Sequence, residues 1–280
     1  MMVRARQSGG VYPAVPPTHN DPGERVMKWL RYRIGDQEGF GTIDGDEIRV
    51  HAGSMFEHPR ETGIRLRLSE ITWLTPCVPS KMLALWNNFN ALAEKNGWMK
   101  PPEPLYFIKA PNSFAAHGQQ IVPPPSYDGR VAYEGELAIV IGRLTKCVSP
   151  EEADSHIFGY TCANDVTALE LIQRDPTFPQ WVRAKSFDTF GVFGPAIETD
   201  FDPATACVRT RVGGRERQNY ALSDMMFGPR ELVSRISQDM TLLPGDVILC
   251  GTSLGVMPMK PGSAVEVEID GIGVLANTYG

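Results

Sequence analysis

Two acidic side chains stand two residues apart at the start of an apolar run. Glu134 and Glu136 lead directly into Leu137–Ile141, and a run of this kind is typical of a buried strand. Side chains two apart on a strand point the same way, with Cα atoms roughly 6.5 Å apart. Like charges at the edge of a core are costly unless a cation lies between them. Oxygen ligands suit Mg²⁺, Mn²⁺ or Ca²⁺ better than zinc, although most such pairs simply line a solvated strand face.

Two further charged residues are candidates for the same site. Asp165 lies between a strand-like piece and a helix-like piece over residues 166–174, so it is either a third metal ligand or an ordinary helix N-cap. Lys185 lies among aromatic residues. A lysine in that setting is usually a surface residue with a buried stem, but beside a metal it would stabilise negative charge or assist proton transfer.

A third candidate is the segment that contains Gly251 and Thr252. A turn and a buried strand precede this Gly-Thr loop. Its backbone N–H groups and the Thr252 hydroxyl could hold a carboxylate or carbonyl group of a substrate. On local grounds a tight turn that requires glycine explains the loop as well.

Composition narrows the class of protein. The chain has 280 residues, a net charge of −6 and five cysteines. An acidic chain without a basic run is a poor nucleic-acid binder. An odd number of cysteines, scattered along the chain, indicates reduced thiols in a cytoplasmic protein. No run approaches the roughly 20 apolar residues that span a bilayer, and no signal peptide is evident. We therefore expect no nucleic-acid or membrane partner.

The pattern along the chain predicts a mixed, β-dominated (α+β) fold with few short helices. Proline and glycine predict a disordered tail over residues 1–26. Residues 27–78 alternate like a small β module, and residues 79–280 are expected to form one larger domain. Helices are expected over 88–95 and 229–240, with a capping box at Ser149. Gly213-Gly214 predicts a hairpin, and alternation over 265–270 predicts a half-buried strand.

Taken together, the motifs resemble the fumarylacetoacetate hydrolase family over roughly residues 80–280. The resemblance implies a β-roll or barrel fold, usually a homodimer, with a Mg²⁺ or Mn²⁺ site. It implies that Glu134, Glu136 and Asp165 bind the metal, that Lys185 is the active-site lysine, and that Thr252 contacts the substrate carboxylate. The matching motifs are Tyr133-Glu134-Gly135-Glu136-Leu137, Asn164-Asp165-Val166-Thr167, Ala184-Lys185-Ser186-Phe187-Asp188, Gly194-Pro195, and Gly245-Asp246-Val247-Ile248 with Gly251-Thr252.

The chain departs from the family pattern in two places. Many members carry Asn-Tyr-x-x-His-x-x-Glu, whose His–Glu pair activates water, whereas here Leu92 occupies the expected histidine spacing and Glu94 is left as the acid–base candidate. Members often have Arg four residues after the metal-binding Asp; here that position is Leu169. On a helix, Gln173 would lie on the same face as Leu169, so it is the candidate to take the place of that arginine. Of the five histidines, His117 is the one that can be placed near a site.

The resemblance implies an enzyme for open-chain 2-oxo or 2-hydroxy-dienoic acids, such as ring-fission products of aromatic catabolism. In such enzymes the metal polarises the 2-oxo group and stabilises an enolate. We expect hydrolysis of a C–C bond slightly more than isomerisation, tautomerisation or decarboxylation. Membership of the family would favour hydrolysis, whereas the absence of the histidine argues against it. A non-catalytic, metabolite-binding member is the alternative from another class.

Overall fold

The computed structural model describes residues 27–280, so the predicted tail over residues 1–26 lies outside the described residues. Strands dominate and helices are short, which confirms the predicted fold class. The α-helices are α1 (Asn90–Asn96), α2 (Pro150–Ala153), α3 (Trp181–Lys185) and α4 (Pro229–Asp239). The strands are β1 (Lys28–Ile34), β2 (Gln37–Asp44), β3 (Glu47–Ser54), β4 (Glu57–Arg67), β5 (Thr72–Trp73), β6 (Met82–Trp86), β7 (Leu105–Lys109), β8 (Phe114–Ala115), β9 (Gln120–Ile121), β10 (Val131–Ala132), β11 (Gly135–Ile141), β12 (Ile157–Asp165), β13 (Thr167–Ala168), β14 (Gly191–Glu198), β15 (Cys207–Val212), β16 (Arg215–Ala221), β17 (Val247–Leu249), β18 (Ser263–Ile269) and β19 (Gly273–Tyr279). Short 3-10 helices cover Leu68–Glu70, Pro111–Ser113, Asp154–His156, Leu169–Leu171, Pro203–Thr205 and Leu222–Asp224.

The predicted local elements are largely present. The Ser149 capping box forms at the start of α2, and Gly213-Gly214 joins β15 to β16 as a hairpin. Helix α1 begins two residues later than predicted. The side chain of Asn88 bonds to the backbone of Cys250 and Phe227, and this residue stays outside the helix. No helix within residues 27–280 has both the length and the apolar character to cross a bilayer.

Most of the strands form a 12-stranded sheet with β11 near its centre. Its main path runs β4-β3-β2-β1-β14-β12-β11-β17-β6-β7. Every residue of β11 is buried, as expected for an apolar run covered on both faces. A five-stranded sheet, β16-β15-β18-β19-β9, contributes to the same core.

The register of the central strands defines two faces of the large sheet. Leu249 of β17 lies opposite both Ala84 of β6 and Ala138 of β11, so these three side chains share one face, which we call the inner face. Val140 lies on it as well, since side chains two apart on a strand point the same way. The residues between them, such as Leu137 and Ile139, pack in the main core on the other face.

The sheet curls around its inner face. From β7 the chain passes through the 3-10 helix Pro111–Ser113 directly into β8, which pairs in parallel with β14. Lys109, which ends β7, lies on the inner face because it is opposite Met82, two residues before Ala84. Its side chain reaches Asp165 at the end of β12, so the inner face is concave and the ends of distant strands meet across it.

Residues 27–76 extend the large sheet. Strands β1–β4 follow one another as an antiparallel meander, and β1 pairs with β14. The predicted division into a module over 27–78 and a domain over 79–280 remains a prediction.

A buried carboxylate fastens the segment that links these two parts. Asp246 is fully buried, and it accepts hydrogen bonds from the backbone N–H groups of Ser80 at 3.0 Å, Lys81 at 3.1 Å and Leu243 at 2.8 Å. The Ser80 hydroxyl and the Lys81 ammonium also donate to it, at 2.6 and 2.5 Å. One side chain therefore satisfies three backbone donors around the turn before β17.

We expect Asp246→Ala to lower the free energy of unfolding by about 3–5 kcal/mol, because it leaves three backbone N–H groups without an acceptor. Asp246→Asn keeps one acceptor oxygen and serves as the matched control, with a loss of about 1–2 kcal/mol. Urea unfolding measures both. An Asp246→Ala protein as stable as Asp246→Asn would contradict this account.

Candidate metal centre

Three carboxylates converge on the inner face. Oxygen atoms of Glu134, Glu136 and Asp165 all lie within 4.8 Å of one another. Glu136 and Asp165 are completely buried, and the Glu134 side chain is 15% exposed. The structure thus brings together the three residues that the sequence singled out as ligands.

Antiparallel pairing of β11 and β12 produces this convergence. Gly135 lies opposite Asn164, and Glu136 lies opposite Ala163; Asp165, two residues after Ala163, therefore faces the same side as Glu136. The Asp165 N–H donates to the Glu134 carbonyl at 2.9 Å, and the Glu134 N–H donates to Asn164 Oδ1 at 3.0 Å. Both bonds fix the backbone next to the carboxylates.

Glycine is required between the two glutamates. A Cβ on Gly135 would lie 2.0 Å from Thr210 Oγ1. The Gly135 peptide is also held from both sides, since its N–H donates to Gln218 Oε1 at 3.0 Å and its carbonyl accepts from Tyr220 at 2.5 Å. Sequence reasoning missed Gln218 and Tyr220, because the polar run Arg215–Asn219 gives no sign that these two side chains are buried along β16.

Two lysines complete the cluster. Lys185 Nζ lies 2.9 Å from Glu134 Oε2 and 2.7 Å from Asp165 Oδ2. Lys109 Nζ lies 2.5 Å from Asp165 Oδ1 and donates to the Lys185 carbonyl at 2.5 Å. Lys185 was a candidate from the sequence, whereas Lys109 was missed. Its signal was a lysine at the end of the apolar strand Leu105–Lys109.

The charges shift one another's pKa values. Burial, reinforced by Asp165 and Glu134, raises the pKa of Glu136 well above its usual range. Burial acts to lower the pKa of Lys185, but the carboxylates of Asp165 and Glu134 outweigh it and hold that pKa above its ordinary value. Burial acts to raise the pKa of Asp165, but the ammonium groups of Lys109 and Lys185 lower it. With three carboxylates and two ammonium groups, the formal charge of the cluster is −1 when all are ionised.

Glu136 carries the clearest sign that a cation fits here. Its Oε2 accepts from the Gly251 N–H at 2.7 Å, but its Oε1 is buried without a hydrogen-bond partner. An unpaired buried carboxylate oxygen is costly, and a cation would satisfy it. A donor set made only of carboxylate oxygens suits Mg²⁺, Mn²⁺ or Ca²⁺.

The Gly251-Thr252 loop lies directly against the cluster. The Thr252 hydroxyl donates to the Gly135 carbonyl at 3.0 Å and accepts from Gln218 Nε2 at 2.8 Å. The loop is held from behind by Asn88, which donates to the Cys250 carbonyl at 2.8 Å. Thr252 and Gly251 are thus adjacent to the carboxylates, and their contact with a substrate remains a prediction.

The predicted helix after Asp165 is wrong. The chain forms the short strand Thr167–Ala168, which pairs with β10, and then the 3-10 helix Leu169–Leu171. The antiparallel pairing of Ala168 with Val131 and of Thr167 with Ala132 draws the start of the predicted helix into a strand. Gln173 is exposed and does not share a helical face with Leu169, so the reason for proposing it as a substrate contact is removed.

Within residues 27–280, neither Glu94 nor His117 bonds to the carboxylates of the cluster. Glu94 is exposed on α1, and within residues 27–280 its carboxylate makes no hydrogen bond or ion pair. His117 accepts from the Ala276 N–H at 3.1 Å and packs edge-on against Trp73. His117 therefore belongs to the packing around β19, and the acid–base role of Glu94 remains a prediction.

Comparisons with known proteins identify the family of this chain. Residues 81–279 match the model of the fumarylacetoacetate (FAA) hydrolase C-terminal family, and residues 27–76 match the Rv2993c-like N-terminal family. The chain is 34% identical over 256 residues to oxaloacetate tautomerase YisK of Bacillus subtilis, covering 85% of this chain and 84% of that protein.

Solved structures show the same fold. A 2-hydroxyhepta-2,4-diene-1,7-dioate isomerase from Mycobacterium marinum is 37% identical, with a TM-score of 0.83, over 90% of this chain and 98% of that one. A maleylpyruvate hydrolase from Sphingobium sp. SYK-6, solved with manganese(II) and pyruvate, is 25% identical with a TM-score of 0.73 over 90% and 98%. With the family match extending over most of its length, this chain belongs to the fumarylacetoacetate hydrolase family.

Proposed function

We propose that the protein is a metal-dependent tautomerase or isomerase of an open-chain 2-oxo acid. The observation that carries the proposal is the buried cluster of Glu134, Glu136, Asp165 and Lys185, in which a carboxylate oxygen of Glu136 is unpaired. In the reaction a proton moves between C3 and the oxygen on C2 while the double bond shifts from C=O to C=C, so no atom is gained or lost.

The three carboxylates would hold Mg²⁺ or Mn²⁺. When bound, the cation would polarise a carbonyl group and stabilise negative charge as a Lewis acid. The relative that was solved with manganese(II) and pyruvate supports both a divalent ion and a 2-oxo acid. The Lys185 ammonium would stabilise negative charge at the substrate's C2 oxygen, and the Gly251-Thr252 loop would hold the substrate carboxylate.

Proton transfer is favoured over hydrolysis by the surroundings of α1. Hydrolysis requires a group that deprotonates water, but Leu92 stands at the expected histidine position and Glu94 is exposed. The N-terminus of α1 is tethered, since the Ala91 N–H donates to Asp224 Oδ2 at 3.0 Å. The named relatives with tautomerase and isomerase activity support the same reading. An origin of the substrate in aromatic catabolism and a homodimer remain proposals.

The reaction class is tested with purified protein, Mg²⁺, oxaloacetate and a small acylpyruvate. We expect faster loss of the ultraviolet band of enol-oxaloacetate than in buffer, without fragments. Glu136→Gln should lower kcat/KM by about 100-fold or more, because it removes a metal-binding charge. Release of pyruvate and a carboxylic acid from the acylpyruvate would instead establish hydrolysis, and release of CO₂ from oxaloacetate would establish decarboxylation.

Glu136→Gln has opposite effects on stability with and without metal. Without metal, we expect the variant to be more stable than the wild type by about 1–3 kcal/mol, since a neutral amide is less costly to bury than an unpaired carboxylate. With saturating Mn²⁺ the wild type should gain stability and the variant should gain little. Glu266→Gln, on strand β18, is the control for the same substitution. Equal responses of all three proteins to Mn²⁺ in thermal unfolding would contradict the metal site.

Lys109→Met tests the buried pair with Asp165. We expect a loss of about 3–5 kcal/mol in the free energy of unfolding, because removing one partner leaves an uncompensated buried charge. Lys109→Met combined with Asp165→Asn should cost clearly less than the sum of the two single changes. Additive losses in this double-mutant cycle would show that the two groups do not interact.

A further inference from the structure

A row of aromatic rings leads away from the metal centre. Lys185 Nζ lies 5.3 Å from the ring centre of Phe107, which stacks on Trp181 at 5.4 Å. Trp181 meets Trp86 at 5.8 Å, and Trp86 meets Trp98 at 4.7 Å. We call these four residues, Trp86, Trp98, Phe107 and Trp181, the aromatic wall.

The strand register places this wall on the same face as the carboxylates. Phe107 lies opposite Ala84, which defines the inner face, and Trp86 is two residues from Ala84. Glu136 is likewise two residues from Ala138 on that face. Since only β17 separates β11 from β6, Glu136 and Trp86 stand on strands about 9–10 Å apart.

The position between Glu136 and Trp86 has no side chain. Gly251 follows β17 and has a φ of +90°, which favours glycine. A Cβ there would lie 3.3 Å from Asn88 Cβ and 3.4 Å from the Leu85 carbonyl. The backbone of Gly251 therefore lies between the Glu136 carboxylate and Trp86, and its N–H donates to Glu136.

The outer end of the wall is accessible and is held by a strained residue. Trp98 is 39% exposed, and Trp86, Phe107 and Trp181 are half-buried rather than part of a closed core. Asn87 has a left-handed φ of +55°, and its Nδ2 donates to the Met99 carbonyl at 3.1 Å. Backbone strain of this kind clusters at ligand sites, and this hydrogen bond fixes the segment that carries Trp98.

We propose that the aromatic wall binds the part of the substrate beyond C3, and that this part is a flat, uncharged aryl or conjugated alkenyl group. The inference rests on the proposed function for the position of the 2-oxo acid end. Flat rings pack well against indole and phenyl faces. Among residues 27–280, the one cation that lies over a ring of the wall is Lys185, which is already paired with the carboxylates. The expected preference is therefore for an arylpyruvate over a small dicarboxylic 2-oxo acid.

Phenylpyruvate, pyruvate and oxaloacetate are the probes. Calorimetry on the Mg²⁺-loaded protein should show phenylpyruvate binding about 10-fold more tightly than pyruvate. Trp98→Leu and Trp86→Leu should raise the Kd and KM for phenylpyruvate about 10-fold and so remove its preference over pyruvate. Trp73→Leu is the matched control, because Trp73 is also half-buried but packs on His117.

The two proposals fail in different ways. Tighter binding of phenylpyruvate that depends on the wall, with no turnover of either 2-oxo acid, would retain the wall and overturn the tautomerase. Turnover of oxaloacetate with equal affinities for phenylpyruvate and pyruvate would overturn the wall alone. Equal effects of Trp98→Leu and Trp73→Leu on phenylpyruvate binding would also overturn it. Trp98 is exposed, so circular dichroism of Trp98→Leu should match the wild type and keep the test valid.

Discussion

The structure depends on one buried arrangement of charge. Three carboxylates and two ammonium groups meet on the concave face of a sheet, where water is excluded and every charge needs a partner. Lys109 and Lys185 pair with Asp165 and Glu134, while one oxygen of Glu136 remains without a donor. Side chains such as Asn164, Gln218 and Tyr220 hold the backbone around these groups in place. A divalent cation is the partner that the carboxylate oxygens are suited to receive.

Curling of the large sheet makes this arrangement possible. Glu136 and Asp165 come from adjacent strands, but Lys109 comes from the far end of the sheet and reaches them only because β8 returns to pair with β14. The same curl brings the aromatic wall toward Lys185. The carboxylate cluster and Phe107 of the aromatic wall therefore meet on one concave face. This accounts for the buried state of groups that a surface site would leave solvated.

Membership of the family leaves the reaction open, because proton transfer, loss of CO₂ and hydrolysis share a stabilised negative charge next to a carbonyl group. What separates them is the group that stands beside the metal-bound end of the substrate. In this chain the segment that resembles the family's water-activating motif carries Leu92 and an exposed Glu94, on a helix tethered to Asp224. The relatives with named tautomerase and isomerase activity fit such a site.

The sequence by itself determined the class of fold and most local elements, since strand alternation, glycine turns and caps act over a few residues. Its motifs, through their resemblance to the family, also singled out Glu134, Glu136, Asp165 and Lys185, which the structure brings together. It predicted a helix over residues 166–174, which the pairing of Thr167 and Ala168 with β10 prevented. Lys109, Gln218 and the aromatic wall were decided only by the tertiary structure. Their roles arise from side chains that meet across a curled sheet, and such long-range meetings leave no periodic signal in the chain.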